Sequence, residues 1–445
     1  MGHAPFDDTA TRRYAGQIRS WQMLTGLRAA GLEVVVVGGR IPGTSSQTER
    51  WHESEVAGAR VIEVKLRDLE NGWAIRRLCR SIRPACIVSA GNVPAACACA
   101  YAADEPVWAD LDGDPLSEGQ AKAAVYGDDA FLTAFSWRSW TCLRRGDAFS
   151  TVSRRQRLAT LGQLGVAGRL NRNTCGAELV SWIPNVGEPL PPPEGPPLRG
   201  RIVPADAMLV LWLGGWNTWA DFPTAIVSLE SAMAGCQQLH LVATGGAILG
   251  QDERTYEAFV AQVSRSSFRD RFHLVGWLPP PQVARALSEA DVAIVADKTL
   301  VETELGCRNR VATALASGVP VLATRGVELL DDAEAAGAAR LAPSGATNEL
   351  ADALLDVAAK PVERRRMADA ALRFAATRTP LATVAPVAAW ALAPRRAADA
   401  GRLLSQRRLL HFGPEPPSAR LRRMVRSHGV REALRRALRH LVAID

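Results

Sequence analysis

The sequence predicts an α/β protein made of two doubly wound domains, and three observations carry that prediction. Short apolar runs alternate with amphipathic segments through both halves of the chain. The runs are continuous rather than alternating, as in residues 32–37 (LEVVVV), which fits strands of a parallel sheet covered on both faces. Residues 187–200 (GEPLPPPEGPPLRG) break the rhythm near the middle, and so much proline reads as a semi-rigid linker.

The elements follow in order. A helix over residues 14–30 carries Ile18, Trp21, Leu24 and Leu27 on one side and stops at Gly31. Strands are then predicted at 32–37, 60–64, 85–89, 106–110, 148–152 and 179–183, with helices such as 72–81 and 154–164 between them. After the linker the alternation resumes, with strands at 207–213, 238–244, 272–275, 292–296 and 320–323. Helices are predicted at 222–233, 253–263, 282–288, 308–316 and 348–358. Strand–helix alternation in two blocks means two such sheets, and these bind ligands at the carboxyl ends of their strands. The division is therefore 1–186, a linker at 187–200, 201–393, and a tail at 394–445. No apolar run precedes Tyr14, so residues 1–13 are expected to hold at most the end of a first strand.

Composition narrows the function. The chain of 445 residues is 47% hydrophobic and 22% charged, ordinary for a globular protein. No apolar run reaches the roughly 20 residues that span a bilayer, and the start lacks a signal-peptide pattern, so a cytoplasmic location is expected. The eight cysteines and seven histidines form no metal-ligand spacing, and no metal or cofactor is expected. The net charge of +7 is unevenly spread. From position 395 onward thirteen arginines face four acidic residues, giving +9 there and −2 on the rest. Residues 418–444 are helical in spacing, with Leu434, Leu438 and Leu441 on one side. A basic amphipathic helix points to an anionic membrane surface, or equally to a solvated arginine face whose leucines pack on the body. Nucleic acid is not expected, because no aromatic residues are interleaved.

A string of motifs in the right order gives the chain a resemblance to the family-4-like glycosyltransferases. Residues 16–37 (GQIRSWQMLTGLRAAGLEVVVV) look like the family's opening helix and strand. Residues 148–156 (AFSTVSRRQ) look like its strand, Val-Ser, helix element. Ile183-Pro184-Asn185-Val186 resembles the Ile-Pro-Asn-Gly turn closing the first domain, with Val186 in place of the glycine. Residues 272–291 (FHLVGWLPPPQVARALSEAD), 316–323 (ASGVPVLA) and 341–355 match three further family elements. The resemblance covers roughly residues 14–389 and implies two Rossmann-like domains facing a cleft, the GT-B fold, to which the chain adds a basic helical C-terminal extension. It also implies a nucleotide-sugar site on the second domain. The family's E-x7-E pattern is degenerate here. Its two carboxylates, one for the sugar hydroxyls and one for the ribose, would fall at Leu305 and Thr313, and Glu304 is the candidate for the first.

The residues themselves suggest where that site lies. A helix starting near Arg308 aims free N–H groups and a positive dipole end at a ligand, which suits a diphosphate. Arg308, Asn309 and Arg310 stand at that point, and arginine holds phosphate in a bidentate fork. The loop Gly214-Gly215-Trp216-Asn217-Thr218-Trp219 follows the first strand of the second domain. Its glycines permit close approach, Asn217 and Thr218 offer hydrogen bonds, and Trp216 and Trp219 offer rings for stacking or simply for packing. Gly245 begins a third close-approach loop. In the first domain, residues 108–118 (WADLDGDPLSE) follow a strand, and Asp110 and Asp112 are the candidate catalytic carboxylates. Asp114, before Pro115, reads as a turn residue, with Asp114 or Ser117 capping the helix that follows.

These readings combine into one expectation: transfer of a sugar, a hexose, from a nucleoside diphosphate sugar to a glycan, lipid-linked or natural-product acceptor. A sugar-nucleotide epimerase of the same fold and a non-catalytic sugar-nucleotide-binding relative are the alternatives.

Overall fold

The computed structural model describes residues 1–4, 13–41, 49–248 and 251–401, together with Val425 and Val430. Residues 1–401 form one compact unit and 402–445 a second. In the second unit Val425 and Val430 are helical. The arginine-rich helix expected at 418–444 otherwise lies outside the described residues.

The first half begins with β1 (Gly2–His3) and α1 (Ala15–Ala29), then β2 (Val35–Arg40), β3 (Trp51–Val56) and β4 (Ala59–Lys65). The helices α2 (Leu66–Glu70) and α3 (Trp73–Ile82) lead to β5 (Ile87–Val88), α4 (Asn92–Tyr101) and β6 (Val107–Leu111). A helical pair, α5 (Pro115–Tyr126) and α6 (Ala130–Arg145), precedes β7 (Ala148–Thr151), α7 (Arg154–Val166) and β8 (Val180–Trp182). The strands form two four-stranded sheets, β1-β2-β4-β3 and β5-β6-β7-β8. All pairings are parallel except the β3–β4 hairpin. Met1 joins the sheets: its carbonyl accepts from Ala90 N–H and its ammonium donates to the Val88 carbonyl. β1 pairs with β2 through Gly2 and His3, and residues 5–12 lie outside the described residues. An apolar cavity of about 420 Å³ lies beside Met1, between Leu24 and Leu27 on one side and Ile75 and Leu78 on the other.

The second half holds β9 (Met208–Trp212), α8 (Phe222–Gly235), β10 (Leu239–Thr244), α9 (Arg254–Val263), β11 (Phe272–Gly276) and α10 (Pro280–Glu289). It continues with β12 (Val292–Val295), α11 (Val301–Leu305), α12 (Asn309–Ala316), β13 (Val321–Thr324), α13 (Glu328–Ala335) and β14 (Ala339–Ala342). The helices α14 (Thr347–Ala359), α15 (Pro361–Ala376) and α16 (Pro380–Leu392) complete it. The sheet order is β11-β10-β9-β12-β13-β14, all parallel. Chain order reverses between β9 and β12, which makes a crevice at their carboxyl ends.

Burial explains why the sequence was readable here. Val210, Trp212, Val292, Ile294 and Leu322 are essentially inaccessible on one face of the sheet, and Leu209, Leu211, Val295 and Val321 on the other. One element leaves its own half. α16 packs on α1, and Val384, Val387 and Ala388 join Met23, Leu27, Trp108 and Ile183 in a single apolar cluster. Among the described residues no helix is long and apolar enough to cross a membrane.

Candidate functional site

A cleft of about 670 Å³ lies between the two halves of the first unit. Its second-half wall is the β9/β12 crevice. After β9 the chain turns through Gly214, whose φ of +83° favours glycine. A Cβ on Gly245 would lie 2.3 Å from the Gly214 carbonyl carbon, so the loops after β9 and β10 touch backbone to backbone. Facing them is the start of α12, whose first N–H groups have no partner inside the helix. Arg310 projects there and donates to the Gly215 carbonyl. Among the described residues no carboxylate pairs with Arg310. Burial pulls its pKa down to about 10, so it stays charged at neutral pH.

Arg308 is different. Nε donates to Asp297 Oδ2 (2.6 Å), and Nη1 and Nη2 donate to the two oxygens of Glu302 (2.9 and 2.8 Å). Burial works against its charge, but Asp297 and Glu302 outweigh it and raise the pKa. The guanidinium also lies over the Trp219 ring, 4.8 Å from its centroid.

The first-half wall is lined by Tyr14, Gly16, Ile18, Leu66, Val93 and Glu118. Asp110 is fully buried. Arg19 reaches it through Nε (2.9 Å) and Nη2 (2.7 Å), and Ser150 donates to it (2.6 Å). Beyond β6 the chain turns at Gly113 (φ +93°), and a Cβ there would sit 2.4 Å from Glu118 Oε1. Glu118 lines the cleft, with its pKa raised well above the carboxylate range by burial and then by Glu302, Asp112 and Asp114. Asp112 lies beside Asn185, whose amide spans the halves by donating to Asn309 (2.8 Å) and approaches Asp112 at 3.4 Å. Burial lifts the Asp112 pKa to about 6, with Arg19 opposing.

Further contacts cross between the halves. Tyr126 donates to Asp252 (3.2 Å), Arg155 pairs with Asp331 (2.6 Å), and Glu328 accepts from the N–H groups of Arg154 and Arg155 at the start of α7.

The comparisons bear on this architecture. Sucrose-phosphate synthase from Thermosynechococcus elongatus superposes with a TM-score of 0.64 at 19% identity, covering 87% of this chain and 94% of that one. HepE from Anabaena, in complex with UDP and glucose, gives 0.62 at 17% identity, covering 86% and 97%. The α,α-trehalose 6-phosphate synthase from Burkholderia multivorans gives 0.61 at 10% identity, covering 83% and 91%. The fold is GT-B. Residues 219–360 match the family model of glycosyl transferases group 1. No curated protein sequence matches the chain significantly.

Within this GT-B frame the expected site residues separate. Gly214, Gly215, Asn217, Gly245, Asn309 and Arg310 line the cleft together. Arg308 lines it too, but its donors are occupied by Asp297 and Glu302, which corrects its reading as a phosphate fork. Glu304 is corrected as well. It lies on the exposed side of α11, and the phase of that helix brings Glu302 to Arg308 instead. Asp110 is held by Arg19 and Ser150 rather than presented to a ligand. Thr218 is buried, and its N–H bonds the Asn217 side chain while its carbonyl accepts from Lys298. Trp216 stacks on Trp212 at 3.7 Å and on Phe259 at 3.8 Å, so it is core and not a platform. Asp114 caps α5 through Ser117 N–H (2.9 Å), as expected.

Sequence reasoning missed Glu118, Glu188 and Trp277, which line the cleft, and the Asp297–Arg308–Glu302 triad. Glu118 carried a signal, since it stands in the first turn of the helix that Asp114 caps. Glu188 was hidden by its setting in the proline-rich linker. Among the described residues no three His, Cys, Asp or Glu side chains gather as a metal-ligand set.

Proposed function

We propose that the protein transfers a hexose from a nucleoside diphosphate sugar to a hydroxyl of a glycan, lipid-linked or natural-product acceptor. The observation that carries this is Arg310, a partly buried cation without a carboxylate partner among the described residues, set between the start of α12 and the Gly214–Gly215 turn. A desolvated cation beside free backbone N–H groups is built for an anion, and a leaving diphosphate develops its charge there. In the transfer the bond from the anomeric carbon to the phosphate oxygen breaks and one to the acceptor oxygen forms. The acceptor proton passes to Asp112, the carboxylate beside the bridge between the halves. Two neighbours support a UDP-hexose donor: HepE is complexed with UDP and glucose, and an E. coli trehalose-6-phosphate structure is bound with UDP-2-fluoro glucose. The arginine-rich tail supports a peripheral position at an anionic membrane, near a lipid-linked acceptor.

A thermal-shift panel of UDP-, GDP-, ADP- and dTDP-sugars tests the reading. A true donor at 100 times its dissociation constant stabilises by about 2.7 kcal/mol. Arg310→Ala should abolish the shift with diphosphates and leave nucleoside binding intact. Equal loss for both would remove Arg310 from the diphosphate site. A sugar-nucleotide epimerase is the second reading, favoured by Glu118, a carboxylate that lines the cleft with a raised pKa. A new sugar nucleotide formed without acceptor would establish it over transfer.

A further inference from the structure

We propose that Glu188, from the linker between the halves, is the carboxylate that holds the ribose diol of the donor nucleotide. The proposal rests on the nucleotide-sugar reading above. Two carboxylates line the described cleft, Glu118 and Glu188. Glu118 belongs to the first-half wall, folded over Gly113. Glu188 belongs to the α12 side.

Its placement is built in. A Cβ on Gly187 would meet Ala316 Cβ at 2.4 Å and the Ala312 carbonyl oxygen at 3.0 Å, so the linker lies directly on α12. The next residue, Glu188, donates its N–H to Thr313 Oγ1 (3.0 Å). Thr313 lines the cleft three residues after Arg310. Three residues advance a helix by about 4.5 Å and return to nearly the same face. The carboxylate therefore stands about one turn of helix beyond the cation proposed for the diphosphate. In a nucleoside diphosphate the ribose follows the phosphates at that scale.

The chemistry fits a diol. Arg13 Nη1 donates to Glu188 Oε1 (3.1 Å), which holds the group in place and supports its charge against burial. Oε2 has no hydrogen-bond partner among the described residues. A carboxylate is acceptor-only when ionised, and vicinal hydroxyls supply two donors. At position 313 the helix itself offers a threonine, whose hydroxyl is engaged by Glu188 N–H. The linker thus brings from outside the charge that α12 lacks.

The test measures binding of UDP and GDP and of their 2′,3′-dideoxy forms to the full chain. For the ribonucleotide that binds, the wild type should prefer the ribo form by about tenfold to a hundredfold, the scale of hydrogen bonds to a charged acceptor. Glu188→Gln should erase most of that preference and leave the dideoxy affinity unchanged. Thr313→Glu added to Glu188→Gln should restore it. If Glu188→Gln does not fold, Glu188→Asp carries the same ratio measurement. An unchanged ratio in the variant, or equal loss for both sugar forms, overturns the role of Glu188 and leaves the nucleotide reading standing. Absence of binding by these four compounds and by ADP and dTDP to the wild type overturns both.

Discussion

Arg308 and Arg310 stand two positions apart and are held in opposite ways. Arg308 neutralises Asp297 and Glu302 inside the protein. Replacing it with Leu strands both carboxylates, so a loss of about 3–5 kcal/mol is expected in chemical denaturation. Arg310 has no such partner among the described residues, and Arg310→Ala should leave stability unchanged or improved while weakening diphosphate binding. The reverse pattern would exchange their roles. Asp112 makes the second residue-scale prediction. With its pKa lifted from 3.8 to about 6, it accepts a proton only above that value. The rate should climb roughly tenfold per pH unit below 6 and level off above, and Asp112→Asn should flatten that limb. Stability runs the other way. The folded state holds this proton more tightly than the unfolded chain, so the contribution is complete below pH 4 and lost as pH rises through 6. Asp112→Asn should therefore be the more stable protein at neutral pH. At this scale the sequence was only half legible. The cluster 308–310 could be located, but which arginine is free depends on carboxylates 6 and 11 positions away from Arg308. That information is in the helix phase of α11 and the end of β12, not in the motif.

Elements were easier to read where burial is complete. The strands of the second half were expected within a residue or two, because a parallel strand covered on both faces must be apolar throughout. β14 (ARLA) was missed: its Arg340 is exposed, so no continuous apolar run marks it. β3 (WHESEV) was missed too, since an edge strand with one face to water shows mostly charge. The linker was recognised by its prolines, yet its beginning is fixed by Gly187. Gly187→Ala should force the segment off α12, because Ala312 and Ala316 belong to a packed helix and cannot withdraw far. A drop in melting temperature together with weakened nucleotide binding is expected. Loss of neither would show that the contact yields easily.

On the scale of the whole molecule, the two halves of the first unit face a cleft, and polar contacts near Asn185, Tyr126 and Arg155 hold its walls. The two-block architecture was legible because each block repeats one rhythm. The return of α16 to the first half was not, because its alanine- and valine-rich sequence (PLATVAPVAAWAL) would suit any apolar surface. That return has a consequence for synthesis on the ribosome. The cluster around Met23, Trp108 and Ile183 stays open until Val384 and Val387 are made, some two hundred residues later. The nascent first half therefore emerges with a bare apolar groove beside α1, the kind of surface that recruits chaperones and invites aggregation. Chains stalled at residue 379 should stay protease-sensitive in α1, and chains stalled late enough to expose α16 outside the exit tunnel should become resistant. Early protection of α1 would mean that the first half closes its own core without waiting for the end of the chain.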